Sequence, residues 1–152
     1  MRPGDLIPPF QLPDQSGRAR AFADLSGPRG LVLYAYPKDH SSGCATETSE
    51  FQEELAQFTA RGYGLAGLSK DGVASHAKFA AKLGLGFPLL ADPQTSLLKA
   101  LGAWGVKKMY GKETEGTVRS TYVFDAGGLL VRAYAKVKAQ GHAARVLADL
   151  GS

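Results

Sequence analysis

The chain has 152 residues, 44% hydrophobic and 21% charged, with no biased tract, which fits one soluble domain spanning residues 1–152 and leaves two domains cramped. Its net charge of +4 is spread from Arg2 to Arg145, so neither a nucleic-acid footprint nor a charged tail is indicated. A single cysteine excludes a disulfide scaffold and suits a reducing compartment; with no apolar leader and no apolar run near ~18 residues, a cytoplasmic protein with no membrane partner is expected.

Residues 1–30 are punctuated by Pro3, Pro8, Pro9, Pro13, Gly17, Gly27 and Pro28, and they read as turns and short extended pieces around a core built later. Residues 31–36 form a continuous apolar run of strand length, the pattern of a strand buried on both faces, and Pro37 ends it. From Cys44, residues Thr48, Phe51, Leu55 and Phe58 recur along one helical face until Arg61-Gly62 supplies a stop. Residues 63–69 read as a second strand, about 74–83 as a helix and 87–91 as a short third strand. Strands alternating with helices imply crossover connections and a mainly parallel sheet.

Asp92-Pro93 opens a further helix to about residue 101, followed by an irregular glycine-rich stretch. Residues 120–124 and 129–134, joined through Asp125-Ala126-Gly127-Gly128, carry a β-hairpin signal. A last helix, 142–150, buries Ala143, Val146, Leu147 and Leu150. The expected fold is α/β, and it resembles the thioredoxin-like three-layer arrangement of a central mixed sheet with helices on both faces.

The one cysteine lies where the first strand gives way to a helix. Backbone N–H groups of a first helical turn are unpaired and the helix dipole adds positive charge, so a thiolate at Cys44 is favoured there. Isolated cysteines are commonly inert core residues, but this one follows the polar turn Ser41-Ser42-Gly43. A dithiol exchange motif needs a cysteine at position 47, which is Glu47. A phosphatase loop closing on an arginine six residues on meets Glu50. His40 lies four residues from Cys44, but His76 and His142 supply no compact second pair, so no metal or other cofactor is expected. A cysteine hydrolase with His40 as base is a weaker reading, since a loop histidine is ordinarily solvated. Attack on a polarised weak bond remains, and peroxide is the natural candidate, giving a sulfenic acid and an alcohol or water.

Pro37-x-x-x-Ser41-x-x-Cys44 resembles the peroxiredoxin active-site motif, and the wider Tyr36-Pro37-Lys38-Asp39 to Gly43-Cys44 stretch is similar to the bacterioferritin-comigratory, or Q, subclass. Further blocks agree in order: the opening Pro3-Gly4-Asp5-x-x-Pro8, then Ser75-His76-x-x-Phe79, Phe87-Pro88-Leu89-Leu90-x-Asp92, Gly105-Val106 and Arg119-x-Thr121-Tyr122-x-Phe124-Asp125. The resemblance implies a thiol-dependent peroxidase acting on hydrogen peroxide and organic hydroperoxides. Cys44 would be the nucleophile, Pro37 its shield, Ser41 a hydrogen-bonding hydroxyl, Arg119 the stabilising cation and Glu47 the residue holding Arg119 in place. Tyr36, Trp104, Met109 and Tyr110 are candidates for an apolar wall, and His76 is read as structural.

Two departures matter. Where the subclass often carries a resolving cysteine, this chain has Ser49 and Ala80, so it is either a natural one-cysteine enzyme or a form in which that cysteine was replaced. An external thiol, thioredoxin, glutaredoxin or a small thiol, would then re-reduce Cys44. Ser41-Ser42 stands where Thr-Pro is usual, which predicts a looser loop. A monomer is expected. The rival reading is a non-catalytic thioredoxin-fold thiol sensor or holdase.

Overall fold

The computed structural model describes residues 1–151, apart from the side chains of Lys107 and Met109. The punctuated N-terminus forms a small hairpin of β1 (Leu12–Pro13) and β2 (Ala19–Arg20) and a one-turn helix, α1 (Phe22–Leu25). Asp14 holds the hairpin turn by accepting from the Ser16 amide and hydroxyl (2.8 and 2.6 Å) and the Arg20 Nε (2.8 Å).

The apolar run becomes β3 (Gly30–Ala35), in which every residue is buried. It pairs in parallel with β4 (Tyr63–Ser69) through the connecting helix α2 (Ser42–Ala60). From β4 the chain continues through α3 (Val73–Leu83) to β5 (Leu89–Ala91), also parallel. β5 starts two residues later than the sequence suggests because Gln15 clamps this segment, taking the Leu89 amide (2.8 Å) and donating to the Phe87 carbonyl (3.1 Å). α4 (Ser96–Leu101) likewise starts late, because Asp92 makes a turn in which Thr95 takes a left-handed conformation (φ 61°) and the Asp92 carboxylate accepts the Leu98 amide at 2.9 Å.

Residues 102–119, read from sequence as irregular, contain a second hairpin instead: β6 (Trp104–Met109) and β7 (Lys112–Thr117). Tyr110 and Gly111 both have positive φ (53° and 75°), the signature of a two-residue turn matched to strand twist. β8 (Ser120–Asp125) and β9 (Leu130–Tyr134) follow as expected, and α5 (His142–Leu150) ends the chain's regular structure.

The central sheet has the order β5-β4-β3-β8-β9, parallel on one side of β3 and antiparallel on the other. Alternate residues of β3 point to opposite faces, as strand geometry requires. Val32 and Tyr34 join a cluster with residues of α2, α3 and α5, whereas Leu31, Leu33 and Ala35 pack with those of α1 and α4. The three-layer expectation holds. On the α2 side Tyr34 stacks on Phe51 (centroids 4.4 Å apart) and donates to Thr48 Oγ1 at 3.0 Å, which fixes the helix against the strand. No described helix is long and apolar enough to cross a membrane.

Gly30 opens β3 at φ 146°, and a Cβ there would lie 1.8 Å from the Phe124 carbonyl oxygen. Gly30→Ala should therefore lower stability by on the order of 3 kcal/mol, because backbone must move to relieve the overlap. A urea midpoint close to that of the wild type would refute this.

Candidate active site

Cys44 is the third residue of α2, fully buried, and belongs to the cluster on the α2 side of the sheet. The turn before it is extended at Ser41 (φ −71°, ψ 148°), whose side chain does not cap the helix. Its hydroxyl donates to the Lys38 carbonyl at 2.8 Å. The amides of the first helical turn are therefore left without a side-chain acceptor from Ser41. Pro37 sits half-buried in the bend between β3 and α2.

Arg119 reaches this helix from the link between β7 and β8. Its Nη2 lies 3.4 Å from Cys44 Sγ and its Nη1 donates to Glu47 Oε1 at 2.6 Å, so one guanidinium bridges two residues three apart on one helical face. Gly43 permits this approach, since a Cβ there would stand 3.2 Å from Arg119 Nη2. Burial works against the Arg119 charge, but the negative partners Glu47 and Cys44 outweigh it and push the guanidinium upward. Arg119 is thus a fixed cation beside the sulfur.

Glu47 has no exposed surface, and its second oxygen, Oε2, has no hydrogen-bond partner. Burial pushes its carboxyl up to about 7, with Arg119 offsetting only part of that cost. A charge held this way responds to pH near neutrality.

The apolar-wall candidates separate. Tyr36 is buried in the cluster that holds Cys44. Trp104 packs with the cluster on the opposite face, under Lys70 and Lys99, and Tyr110 is 97% exposed at a hairpin tip, so neither joins the site. The Met109 side chain lies outside the described residues. His40, in a left-handed conformation, packs edge-on against Phe79 (5.1 Å). His142 is buried and accepts or donates at Thr121 Oγ1 (2.7 Å); burial, then the charges of Arg145 and Arg119, lower it to about 4, so it is a neutral ring.

Sequence reasoning gave Asp39 no role and read His76 as merely structural, yet both are buried and their side chains meet at 2.7 Å just ahead of the cysteine helix. The signal available was a carboxylate and an imidazole inside two separate family-like blocks, with nothing to show that they touch.

Residues 3–133 match the AhpC/TSA family model. Peroxiredoxin Bcp of Xanthomonas campestris is 41% identical over 142 residues, covering 93% of this chain and 89% of that one. Its Bacillus subtilis counterpart is 36% identical over 147 residues, covering 97% and 93%. The chain is a peroxiredoxin of the bacterioferritin-comigratory (Q) type. Solved structures agree: that of the Xanthomonas campestris bacterioferritin comigratory protein superposes with a TM-score of 0.87 at 39% identity, covering 93% of this chain and 89% of that one. PrxQ of Xylella fastidiosa superposes with a TM-score of 0.91 at 36% identity, covering 99% and 95%. As a peroxiredoxin the chain is a thiol-dependent peroxidase, with a peroxide as substrate and a thiol as reductant.

Linkage gives the sign of the Glu47 effect in this peroxiredoxin. The folded state keeps the Glu47 proton up to about pH 7, whereas the ordinary value is 4.5. Between those values folding takes up a proton, and stability falls as pH rises. Relative to Glu47→Gln, the wild type should lose about 1.4 kcal/mol per pH unit across that window. Urea midpoints of both proteins near pH 5 and near pH 7 check this, and parallel profiles would remove the burial argument.

Proposed function

We propose that this peroxiredoxin reduces hydrogen peroxide and organic hydroperoxides through a thiolate at Cys44. The observation that carries the assignment is the Arg119 bridge, with a guanidinium nitrogen 3.4 Å from Sγ and its neighbour anchored on buried Glu47. The sulfur lone pair attacks the hydroxyl oxygen of the peroxide and the O–O bond breaks. Sulfenic acid forms at Cys44, and the leaving alkoxide or hydroxide takes a proton to become alcohol or water.

Negative charge moves from sulfur to the leaving oxygen during this step. Arg119 and the first-turn amides of α2 are the donors that follow it, held in place before the substrate arrives. Because the Ser41 hydroxyl already donates to the Lys38 carbonyl, its lone pairs are what it offers: it accepts from the peroxide O–H and orients the attacked oxygen. Pro37 closes the bend over the reacting sulfur. Glu47 positions Arg119 and does not touch substrate.

With no second cysteine in the chain, the sulfenic acid is met by an external thiol: thioredoxin, glutaredoxin or a small thiol. That thiol displaces water to give a mixed disulfide, and a second thiol releases Cys44. The related Xanthomonas campestris protein has been solved in trapped intermediate and ligand complexes bearing on its alkyl peroxide reduction activity, which supports organic hydroperoxides as substrates here. The catalytic unit is the single domain of residues 1–152, working as a monomer in the cytoplasm, where reducing surroundings keep its one thiol free.

Cys44→Ser should abolish peroxide consumption. Arg119→Ala should lower kcat/KM for peroxide by about 10²–10³-fold, the scale of removing one preorganised donor from a developing anion. Stopped-flow oxidation of the reduced protein, followed by repeated turnover with thioredoxin or dithiothreitol, measures both. An unchanged Arg119→Ala rate would sink the mechanism, and a single turnover that never recovers would favour a sensor.

A further inference from the structure

Cys44 is fully buried, so a peroxide needs only a small displacement to reach Sγ, whereas a thiol carried on another protein needs a large one. Exposing the sulfur requires the first turn of α2, or the segment leading into it, to move. That segment, residues 37–43, is fastened through Asp39, which is 2% exposed.

The Asp39 carboxylate is fully engaged. Oδ1 accepts from Tyr36 Oη at 2.6 Å; Oδ2 accepts from Ser75 Oγ at 2.8 Å and from His76 Nδ1 at 2.7 Å. The Asp39 amide donates to Asp71 Oδ2 at 2.9 Å, tying the same residue to the end of β4. His76 Nε2 lies 2.9 Å from the Leu90 carbonyl on β5, an acceptor, so the ring donates on that side. A carboxylate oxygen stands on the other side, so both ring nitrogens face acceptors. Burial raises the Asp39 carboxyl, but hydrogen bonds from His76 and Tyr36 and the His76 charge outweigh it and hold it below the ordinary range. His76 and Ser75 are on α3, as are Phe79, which packs on His40, and Ala80, one of the two positions where a resolving cysteine would stand.

We propose that Asp39 and His76 are positioning residues: their buried pair latches the 37–43 segment onto α3 and so sets how readily Cys44 is uncovered. The inference rests on Cys44 being the reacting thiol. Opening takes the Asp39 carboxylate away from its three side-chain donors and leaves buried His76 Nδ1 without its acceptor, so the open state is sparsely populated and the latch limits re-reduction. The latch acts on Cys44 through backbone and does not contact substrate.

Asp39→Asn keeps the shape of the side chain and removes its charge; Ser75→Ala removes one hydrogen bond from a half-exposed site and preserves the pair. Three rates are read in each variant and the wild type: oxidation of reduced Cys44 by hydrogen peroxide, discharge of the sulfenic acid by thionitrobenzoate, and labelling of reduced Cys44 by a bulky maleimide. Asp39→Asn should slow oxidation by about tenfold and speed discharge and labelling by about tenfold, the scale of one charge-assisted hydrogen bond. Ser75→Ala should shift all three in the same directions by less. A residue that merely stabilises the fold would lower both half-reactions together. Equal slowing of oxidation and discharge, or labelling rates unchanged in folded variants by circular dichroism, overturns the latch. If Asp39→Asn does not fold, Ser75→Ala decides alone. Maleimide labelling involves no peroxide, so a wild type inert to peroxide would refute the proposed function and leave the labelling rates to decide the latch.

Discussion

The antiparallel register of β3 against β8 is the constraint on which the site depends. Ala35, the last residue of β3, pairs with Ser120, the first of β8. Whatever follows Ala35 and whatever precedes Ser120 must then emerge at the same end of the sheet. The first of these leads through Tyr36 and Pro37 to Cys44, and the second is Arg119. A sulfur and a guanidinium 75 residues apart are so brought to 3.4 Å. Because β3 is the central strand, buried on both faces and paired on both edges, this register is strongly specified: a slip by one residue would exchange Val32 and Tyr34 with Leu31 and Leu33 between the two packed clusters.

The same constraint explains what could be read in advance. β3 and β4 are continuous apolar runs because they are buried on both faces, and β4 falls on the residues where the apolar run alone places it. The α2 stripe is legible because Cys44, Thr48, Phe51 and Phe58 share one face, and Glu47 lies on it too. The β6–β7 hairpin was not legible, since its residues pair only with each other, apart from the central sheet, and its strands carry charges where a core strand carries apolar side chains. Arg119 entered only through resemblance to a family. No local pattern announces a contact across 75 residues, and an arginine before a strand is ordinarily a solvated cation. Asp39 and His76 escaped for the same reason, their meeting being set by how α3 docks beside β5 and not by either neighbourhood in sequence. Trp104 shows the converse: a candidate for the apolar wall, it packs on the far face of the sheet.

Charge is distributed unevenly around Cys44. Arg119 serves two partners, Cys44 and Glu47, yet Glu47 keeps one buried oxygen without any. An ion pair completed on one side only is weak as a source of stability, since its desolvation cost is not fully offset. What such a pair supplies is direction: it holds the planar guanidinium with one nitrogen on the sulfur and the other on Glu47 of the same helix.

The absence of a second thiol has a geometric side as well as a chemical one. Ser49 is five residues from Cys44 on the same helix, which at 100° per residue places it roughly 140° around the axis, so a thiol there would meet Cys44 only if the helix unwound. Ala80 lies on α3 in the buried cluster that also contains Cys44, so a thiol there would come from a separate helix. From position 49 resolution would take local opening. With no second cysteine in the chain, resolution falls to an external thiol, which must reach a sulfur with no exposed surface. A protein-borne thiol would therefore meet Cys44 only after the sulfur is uncovered, whereas a peroxide is small.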